Sequence, residues 1–577
     1  MKLLSLMIFT ALLLSLGTPL AAAQEAEEPW GEVIAPGIEY REYQLPDPNN
    51  VFVARMERNN PQVTIESSIA QGRLSGGTET VSGMSQRYDG AINYWGQTWG
   101  NTNKVAVAIN GYYFNYGTGI PYQGQIHSGW YSKLFDPCET GTGGSGFAWK
   151  IDREVFIGES VRTPTTEVYY LLEGGNYIQA FDGINVARQD NQLILYTPQY
   201  GRDTGTAAGG NSFEVLVRMT SPTLLNHDET LMPRGIIEKF FPGKGSTPIP
   251  FDHVVLSFHG TKKDEFQNLI QPLFPDGQAV EIGIRQRIRG CSGAPDYPWE
   301  NTYASIGGAF YFLKDGVINA FADKGEATAR APRTAIAYNA DYVFFVVVDG
   351  RDDWSSRGMS IAELAQFVKT ELGATHGIAE DGGGSSTMVV NGKVMNNTYC
   401  NIVICKGRVF LPLVTKSGVK FQSGLFAPDS EELPVIPSDG AGEIEQLSGD
   451  GLPLTEEYYT FAPDATGDVL QRLVANGMMM VVVQPKELSN PGNPIFTVGN
   501  PIKTLFRVNV RLGPGTNYDV LETVDPGITG IILGDDNGLN GVWAKGYYWW
   551  RVLLEIGTRD VIGWMIEPAL TLNNNFQ

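Results

Sequence analysis

The sequence predicts an α+β fold: a large catalytic unit built on a mixed α/β sheet, followed by a small all-β unit. Three observations carry this expectation. Short β-branched or aromatic runs (Val105–Ile109, Val155–Ile157, Leu193–Tyr196, Val254–Phe258, Tyr342–Val348) recur between Gly, Asn and Asp punctuation and read as strands. Ser360-Ile361-Ala362-Glu363 is a capping box, followed by an apolar stripe at Ile361, Leu364, Val368 and Leu372 and a stop at Gly373, which predicts one helix. Near the C-terminus Val508, Val510 and Leu512 alternate with Asn509 and Arg511, the pattern of a half-buried strand.

The 577 residues divide in order into a targeting segment at 1–23, the catalytic unit at 30–421, a spacer region at 422–503 and the small unit at 504–572. Met1-Lys2, the apolar run Leu3–Leu16 and Ala21-Ala22-Ala23 have the layout of a secretory signal peptide. The run is too short to span a bilayer comfortably. The expected location is therefore secreted, extracellular or attached to a cell envelope, without stable membrane insertion. Cys138, Cys291, Cys400 and Cys405 fit an oxidising compartment as structural disulfides or free thiols; four cysteines allow three pairings, and spacing does not choose among them.

Residues 421–470 hold eleven Asp or Glu, no Lys or Arg, and prolines at 428, 434, 437, 453 and 463. They read as a solvated, self-repelling spacer. About half of the formal net charge of −21 sits there. An acidic chain without a basic cluster argues against nucleic-acid binding. After the spacer, Met478–Val483 is an apolar strand without an obvious partner.

Chemistry concentrates in a few segments. Asn110-Gly111 ends an apolar strand, which places a polar side chain at a strand edge. Ser305-Ile306-Gly307-Gly308 is a glycine turn after a strand, and Pro332-Arg333-Thr334-Ala335 precedes the apolar run Tyr342–Val348. That run, seven residues without alternation, implies a strand buried on both faces, with Asp349 at its end. The strongest block is Glu380-Asp381-Gly382-Gly383-Gly384-Ser385-Ser386-Thr387-Met388. Three glycines let the backbone curl so that N–H groups converge on an anion. Ser385 and Ser386 add donors, and Glu380 and Asp381 supply carboxylates. No Lys closes the block and a strand follows it, so it is not a P-loop. The histidines His127, His227, His253, His259 and His376 lack metal-ligand spacing; neither a metal nor an organic cofactor is implied.

The order of these blocks, together with Leu256-Ser257-Phe258-His259-Gly260, Val348-Asp349-Gly350-Arg351 and Gly358-Met359-Ser360, resembles the phosphodiester glycosidase family over roughly residues 35–420. Ala379 stands where that family often has Asn. The resemblance implies hydrolysis of a sugar-1-phosphodiester. Asp381 would be base or nucleophile, with Asp349 and Glu380 as further carboxyl groups. Asn110, Gly307, Gly308, Arg333, Thr334, Gly382, Gly383, Gly384, Ser385 and Ser386 would line the substrate. The opening Val508-Asn509-Val510-Arg511-Leu512-Gly513-Pro514-Gly515 and the later Gly563-Trp564 resemble bacterial SH3-like domains, which implies a second partner, peptidoglycan or another cell-wall polymer. The rival expectations are a non-catalytic carbohydrate- or wall-binding protein on the same scaffold, and a phosphodiesterase that breaks P–O in place of C–O.

Overall fold

The computed structural model describes residues 30–400, with breaks at 76, 136–144, 159–160, 227, 276, 292–294, 309 and 324, then 405–406, 410–415, 418–423, 459–461, 463, 466–486 and 495–573. The expected signal peptide at 1–23, Cys138 and most of the acidic stretch lie outside the described residues. Cys291 is disulfide-bonded. No described helix is long and apolar enough to cross a membrane.

The α+β expectation is overturned. Strands make up 48% of the structure and helix 10%, spread over several sheets. Among the described residues only Gly183–Ile184 and Leu193–Tyr196 pair in parallel. The other ladders are antiparallel, so strands return through hairpins and need no covering layer of crossover helices. The helix announced by the capping box is present at Ile361–Thr370, with Ser360 Oγ accepting from Glu363 N and the Glu363 carboxylate accepting from Ser360 N. It is a single cover on one sheet.

That sheet runs, in spatial order, Glu32–Ala35, Ile38–Leu45, Asn49–Glu57, Tyr342–Val348, Arg333–Tyr338, His376–Ala379, Phe310–Lys314 and Val317–Ile318. Tyr342–Val348 is central and buried on both faces, as its unbroken apolar run requires. Phe344, Val346 and Val348 pack under the helix with Leu364 and Val368. Val343, Phe345 and Val347 face the opposite core with Ile38, Met56 and Met480.

Met480 belongs to a second sheet of order Lys393–Val394, Met388–Val390, Thr98–Asn110, Asn476–Gln484 and Val63–Ile69. The apolar strand that follows the acidic stretch thus lies between two strands from the start of the chain, bonded to Val63–Ile69 on one side and Thr98–Asn110 on the other. Burial explains the placement. Met478, Met479, Met480 and Val481 are all 0% exposed, and such a run has both faces satisfied only inside a sheet.

The C-terminal segment forms its own antiparallel sheet, including Val508–Arg511, Tyr547–Ile556 and Arg559–Ile566. It is seated on the rest of the molecule. Leu539, Val542, Trp549 and Trp564 share a hydrophobic cluster with Trp99 and Phe251. Phe251 meets Trp564 edge-on at 5.7 Å between ring centroids, and Lys545 Nζ donates to the backbone oxygens of Gln86 (2.8 Å) and Asp89 (2.6 Å).

Candidate active site

The two sheets that share the Met480 core are joined by the block Glu380–Thr387. It leaves the first sheet after His376–Ala379 and enters the second at Met388–Val390. Asn110 staples this crossing. Its Nδ2 donates to the Asp381 carbonyl at 2.7 Å, and its Oδ1 accepts from Thr334 Oγ1 at 2.8 Å and from Thr387 N at 3.1 Å. Asn110 and Thr334 are almost fully buried, 0% and 1% exposed, and both are engaged with the protein itself. The Asp381 N–H donates to the Gly111 carbonyl at 3.0 Å, which explains why the strand ends in Asn-Gly at this point.

Glu380 and Asp381 are each 4% exposed. Asp381 Oδ2 accepts from Ser385 Oγ at 2.5 Å. Burial nevertheless raises the Asp381 carboxyl to about 7, against the opposing pull of Ser385 and the Gly382 N–H. Glu380 has neither carboxyl oxygen hydrogen-bonded. Burial, and then the neighbouring Asp381, push it well above the usual carboxylate range. Two adjacent buried carboxyls of this kind titrate as a coupled pair that holds a proton at neutral pH. A buried carboxyl with no partner is costly unless a ligand completes it. The hydroxyl of Ser386, 2% exposed, likewise lacks a partner.

The glycines lead to the cationic side of the site. A Cβ built on Gly382 would stand 3.8 Å from Arg333 Nη1, on Gly383 3.6 Å from Arg351 Nη2, and on Gly384 3.7 Å from Arg472 Nη1. Three successive glycines therefore each face a different guanidinium, from three different parts of the chain. Side chains are excluded there by close approach as well: the same Cβ on Gly384 would lie 2.6 Å from the Tyr399 carbonyl oxygen. Gly383 has φ +62, a conformation glycine adopts at no steric cost.

The arginines are held without acids. Arg333 Nε donates to the Met359 carbonyl at 2.8 Å, and its Nη2 donates to that of Ala329. Arg351 sits at φ +62, an uncommon conformation for a non-glycine residue, with its guanidinium 4.6 Å from the centre of the Tyr399 ring. Arg472 donates to Tyr116 Oη and lies 5.0 Å over the Tyr116 ring; its Nε is buried without a partner. Burial lowers the affinity of Arg333 and Arg472 for their protons, yet guanidinium remains charged in proteins. None of the three forms an ion pair among the described residues, although Arg330 nearby pairs with both Asp47 and Glu363. Clustered cations with no counter-charge form a site for an anion.

The other expected residues divide clearly. Asp349 is 2% exposed. Its Oδ1 accepts from Asn396 Nδ2 at 3.2 Å and its Oδ2 from Asn397 N at 3.2 Å, and burial raises it to about 7. Asn396 also donates to the Ser386 carbonyl at 3.0 Å, so Asp349 is tied to the far end of the glycine block. Gly307 and Gly308 serve close packing: a Cβ there would run into Gln123 at 2.1 Å and Ile378 at 2.5 Å respectively. His259 lies apart, on another sheet, with its Nδ1 3.3 Å from Asp190. Among the described residues no group of three or more His, Cys, Asp or Glu is arranged to hold a metal ion.

Arg351, Arg472 and Asn396 were not picked out from sequence. Arg351 stands inside the Val348–Arg351 block and carried a signal. Arg472 carried none, because an isolated Arg after an acidic stretch looks like a surface residue.

Burial of Asp381 has a measurable consequence for stability. Its carboxyl is raised from 3.8 to about 7 in the folded chain. The folded state therefore holds this proton more tightly than the unfolded one, and the stability so gained is complete below about pH 4 and is lost as pH rises through 7. Asp381→Asn carries no such proton. Its Tm relative to the wild type should increase steadily between about pH 4 and pH 8; a constant difference across that range contradicts the burial argument.

Comparison with known proteins adds one firm result. Residues 246–404 match the phosphodiester glycosidase family, and the resemblance expected from the motif blocks is shown over that stretch. Arg333, Asp349, Arg351 and the whole Glu380–Ser386 block fall inside the match; Asn110 and Arg472 fall outside it. No curated protein matches the chain. Solved structures that are similar include a hypothetical protein from Synechocystis at 15% identity and TM-score 0.39, with 78% of this chain and 62% of that chain covered. A protein from Burkholderia pseudomallei K96243 is similar at 19% identity and TM-score 0.37, covering 61% and 71%. The catalytic domain of zebrafish N-acetylglucosamine-1-phosphodiester alpha-N-acetylglucosaminidase, auto-inhibited by its pro-peptide, is similar at 14% identity and TM-score 0.26, covering 63% and 75%. This chain thus spans less than two thirds of the first of these relatives.

Proposed function

We propose that this protein is an exported hydrolase that cleaves the glycosidic bond of a sugar-1-phosphodiester in a cell-envelope or extracellular glycopolymer. The observation that carries this reading is the junction of two features within one glycine block. A proton-holding carboxyl pair stands at Glu380 and Asp381, and three guanidinium groups without ion-pair partners among the described residues face Gly382, Gly383 and Gly384.

The chemistry follows from that division. The phosphate of the substrate sits against Arg333, Arg351 and Arg472, with the Ser386 hydroxyl as a further donor. This places the anomeric carbon towards the carboxyls. The bond between that carbon and the bridging oxygen breaks, and its electron pair leaves on the phosphate. The guanidinium groups stabilise the charge gathered there. Ionised Asp381 takes a proton from the attacking water, whose oxygen joins the anomeric carbon. Glu380, held neutral, can protonate the departing oxygen, although a phosphate leaves well without much help. The C-terminal sheet, on its SH3-like sequence pattern, would bind the wall polymer from a fixed seat on the catalytic body.

The test is incubation with a methyl sugar-1-phosphodiester and assay for free reducing sugar and methyl phosphate. Both products are expected in equal amounts; no turnover, with tight binding of the diester, would favour a binding protein. Because Asp381 must be ionised and the phosphate departs with little protonation, kcat/KM should rise as pH passes through about 7 and then level off. A rate independent of pH between 5 and 9 would count against the pair.

A further inference from the structure

Asn476 opens the strand Asn476–Gln484, which enters the catalytic body after the acidic stretch. One turn of chain earlier the same segment supplies Arg472, which faces Gly384. Asn476 is 1% exposed and ties down the chain where the Thr98–Asn110 strand ends. Its backbone carbonyl accepts from Gly111 N at 2.8 Å. Its Oδ1 accepts from Tyr112 N at 3.1 Å, and its Nδ2 donates to Gln125 Oε1 at 3.1 Å.

The Asn476 amide fits in one orientation. Turned over, its NH2 would meet the Tyr112 N–H and its oxygen would meet the Gln125 oxygen. Gln125 is locked in turn. It is 0% exposed, and its Nε2 donates to Ser67 Oγ at 3.1 Å and to the Ser68 carbonyl at 3.0 Å. Ser67 Oγ donates onward to the Ile126 carbonyl at 2.8 Å. A buried polar chain satisfied at every link is rigid. Apolar side chains would fill the same core, beside Met478 and Met480, but would leave the Tyr112 N–H without this acceptor.

The clamped backbone is the one that holds the acid. Gly111 is bonded on both sides. Its N–H goes to Asn476, and its carbonyl accepts from Asp381 N at 3.0 Å and from Asn110 Nδ2 at 3.2 Å. The fit leaves no slack: a Cβ on Gly111 would lie 2.3 Å from Ile306 Cδ1 and 2.5 Å from Asn476 Oδ1. The Asp381 backbone is therefore set by the strand end, and the strand end is set by Asn476.

We propose that Asn476 is a positioning residue for the hydrolysis: it fixes Gly111 and Tyr112 so that the Asp381 carboxyl stands at the attacking water. This rests on the reading of Asp381 as the base. Asn476 lies outside the stretch 246–404 that matches the phosphodiester glycosidase family. One short segment thus brings both a guanidinium for the phosphate and the clamp for the base, and the site is complete only with that strand in its sheet.

The test is the pH profile of Asn476→Ala on the methyl sugar-1-phosphodiester. The substitution changes no charge around Asp381. Glu380 beside it, the Ser385 hydroxyl and Gly382 N–H upon it, Tyr112 within reach of both carboxyls and the guanidinium groups of Arg333, Arg351 and Arg472 at the glycines all remain. A loosened strand end lets water reach the carboxyl. The midpoint of kcat/KM should then move down by at least about one pH unit, and kcat at pH 8 should fall about ten- to hundredfold with KM within about threefold. A lower folded fraction scales the profile without moving its midpoint. A midpoint that stays in place or rises, or a kcat within about twofold of wild type, overturns the proposal. Gln125→Met, which removes the acceptor that holds the Asn476 amide, serves if Asn476→Ala does not fold; it should move the midpoint the same way by at least about half a unit, and no movement overturns the proposal. If wild type does not cleave the diester, the hydrolase reading fails. Carbon-13 NMR titration of the Asp381 carboxyl, identified by its loss in Asp381→Asn, then decides the clamp without turnover: a lower midpoint in the variant upholds it, and an equal one overturns it.

Discussion

Asp381→Asn is expected to lower kcat on a methyl sugar-1-phosphodiester by about 10²–10⁴-fold, the range that a positioned general base contributes. The substitution is close to isosteric. Its side-chain oxygen still accepts the Ser385 hydroxyl that Asp381 accepts at 2.5 Å, so the crossing block keeps its shape. What is lost is the group that can take a proton from water. On the proposed mechanism, in which the arginines hold the phosphate, the loss should fall on kcat more than on KM. Glu380→Gln should cost far less with a phosphate leaving group, which departs with little protonation, and this asymmetry separates the two carboxyls. Full activity in Asp381→Asn would remove Asp381 from the mechanism. A kcat loss accompanied by a collapsed Tm at pH 8 would point to misfolding, whereas burial predicts a Tm at or above that of the wild type.

Arg472→Gln is the second large effect. Removing one preorganised donor from an anion-stabilising site costs about 10²–10³-fold in rate, and the same scale is expected here in kcat/KM. Arg472 has a buried Nε without a partner and faces Gly384, so its charge is directed into the site. Arg472→Lys should recover only part of the loss, since ammonium lacks the planar fork that fits a phosphate. Arg330→Gln changes net charge equally but removes an arginine already paired with Asp47 and Glu363; it should alter kcat/KM by less than about threefold. Steady-state kinetics on the three variants at fixed ionic strength makes the comparison. Equal losses in Arg472→Gln and Arg330→Gln would mean that overall charge, not this site, attracts the substrate.

Much of the site was readable because its chemistry is local. Glu380 through Ser386 are consecutive, and two carboxyls beside three glycines and two hydroxyls announce an anion near an acid–base pair. Of the cations that face the glycines, Arg333 was readable as a substrate-lining residue, whereas Arg351 and Arg472 were not. Arg333, Arg351 and Arg472 come from three separate segments, and only folding brings each against its glycine. The sequence also suggested that backbone N–H groups form the cradle. In the structure several of these are committed to the protein, Asp381 N to Gly111 O and Gly383 N to Pro332 O, and the guanidinium groups supply the positive charge.

The fold shows the same division. Tyr342–Val348 reads as a strand buried on both faces and is one. But such a run looks the same in a parallel and an antiparallel sheet, and the capping-box helix at Ile361–Thr370 suggested more helical cover than exists. The antiparallel ladders on both sides of Tyr342–Val348 decide the matter. Met478–Val483 was visible as a strand, yet its neighbours, Val63–Ile69 and Thr98–Asn110, lie several hundred residues earlier. No local pattern specifies a pairing over that separation.

The most direct measurement is hydrolysis of the methyl sugar-1-phosphodiester in oxygen-18 water, followed by mass spectrometry of both products. Attack at the anomeric carbon, with the phosphate held on Arg333, Arg351 and Arg472 as the leaving group, predicts label in the sugar and none in the methyl phosphate. Label in the methyl phosphate would mean that water attacks phosphorus, and would contradict the assignment of Glu380 and Asp381 to the glycosidic bond.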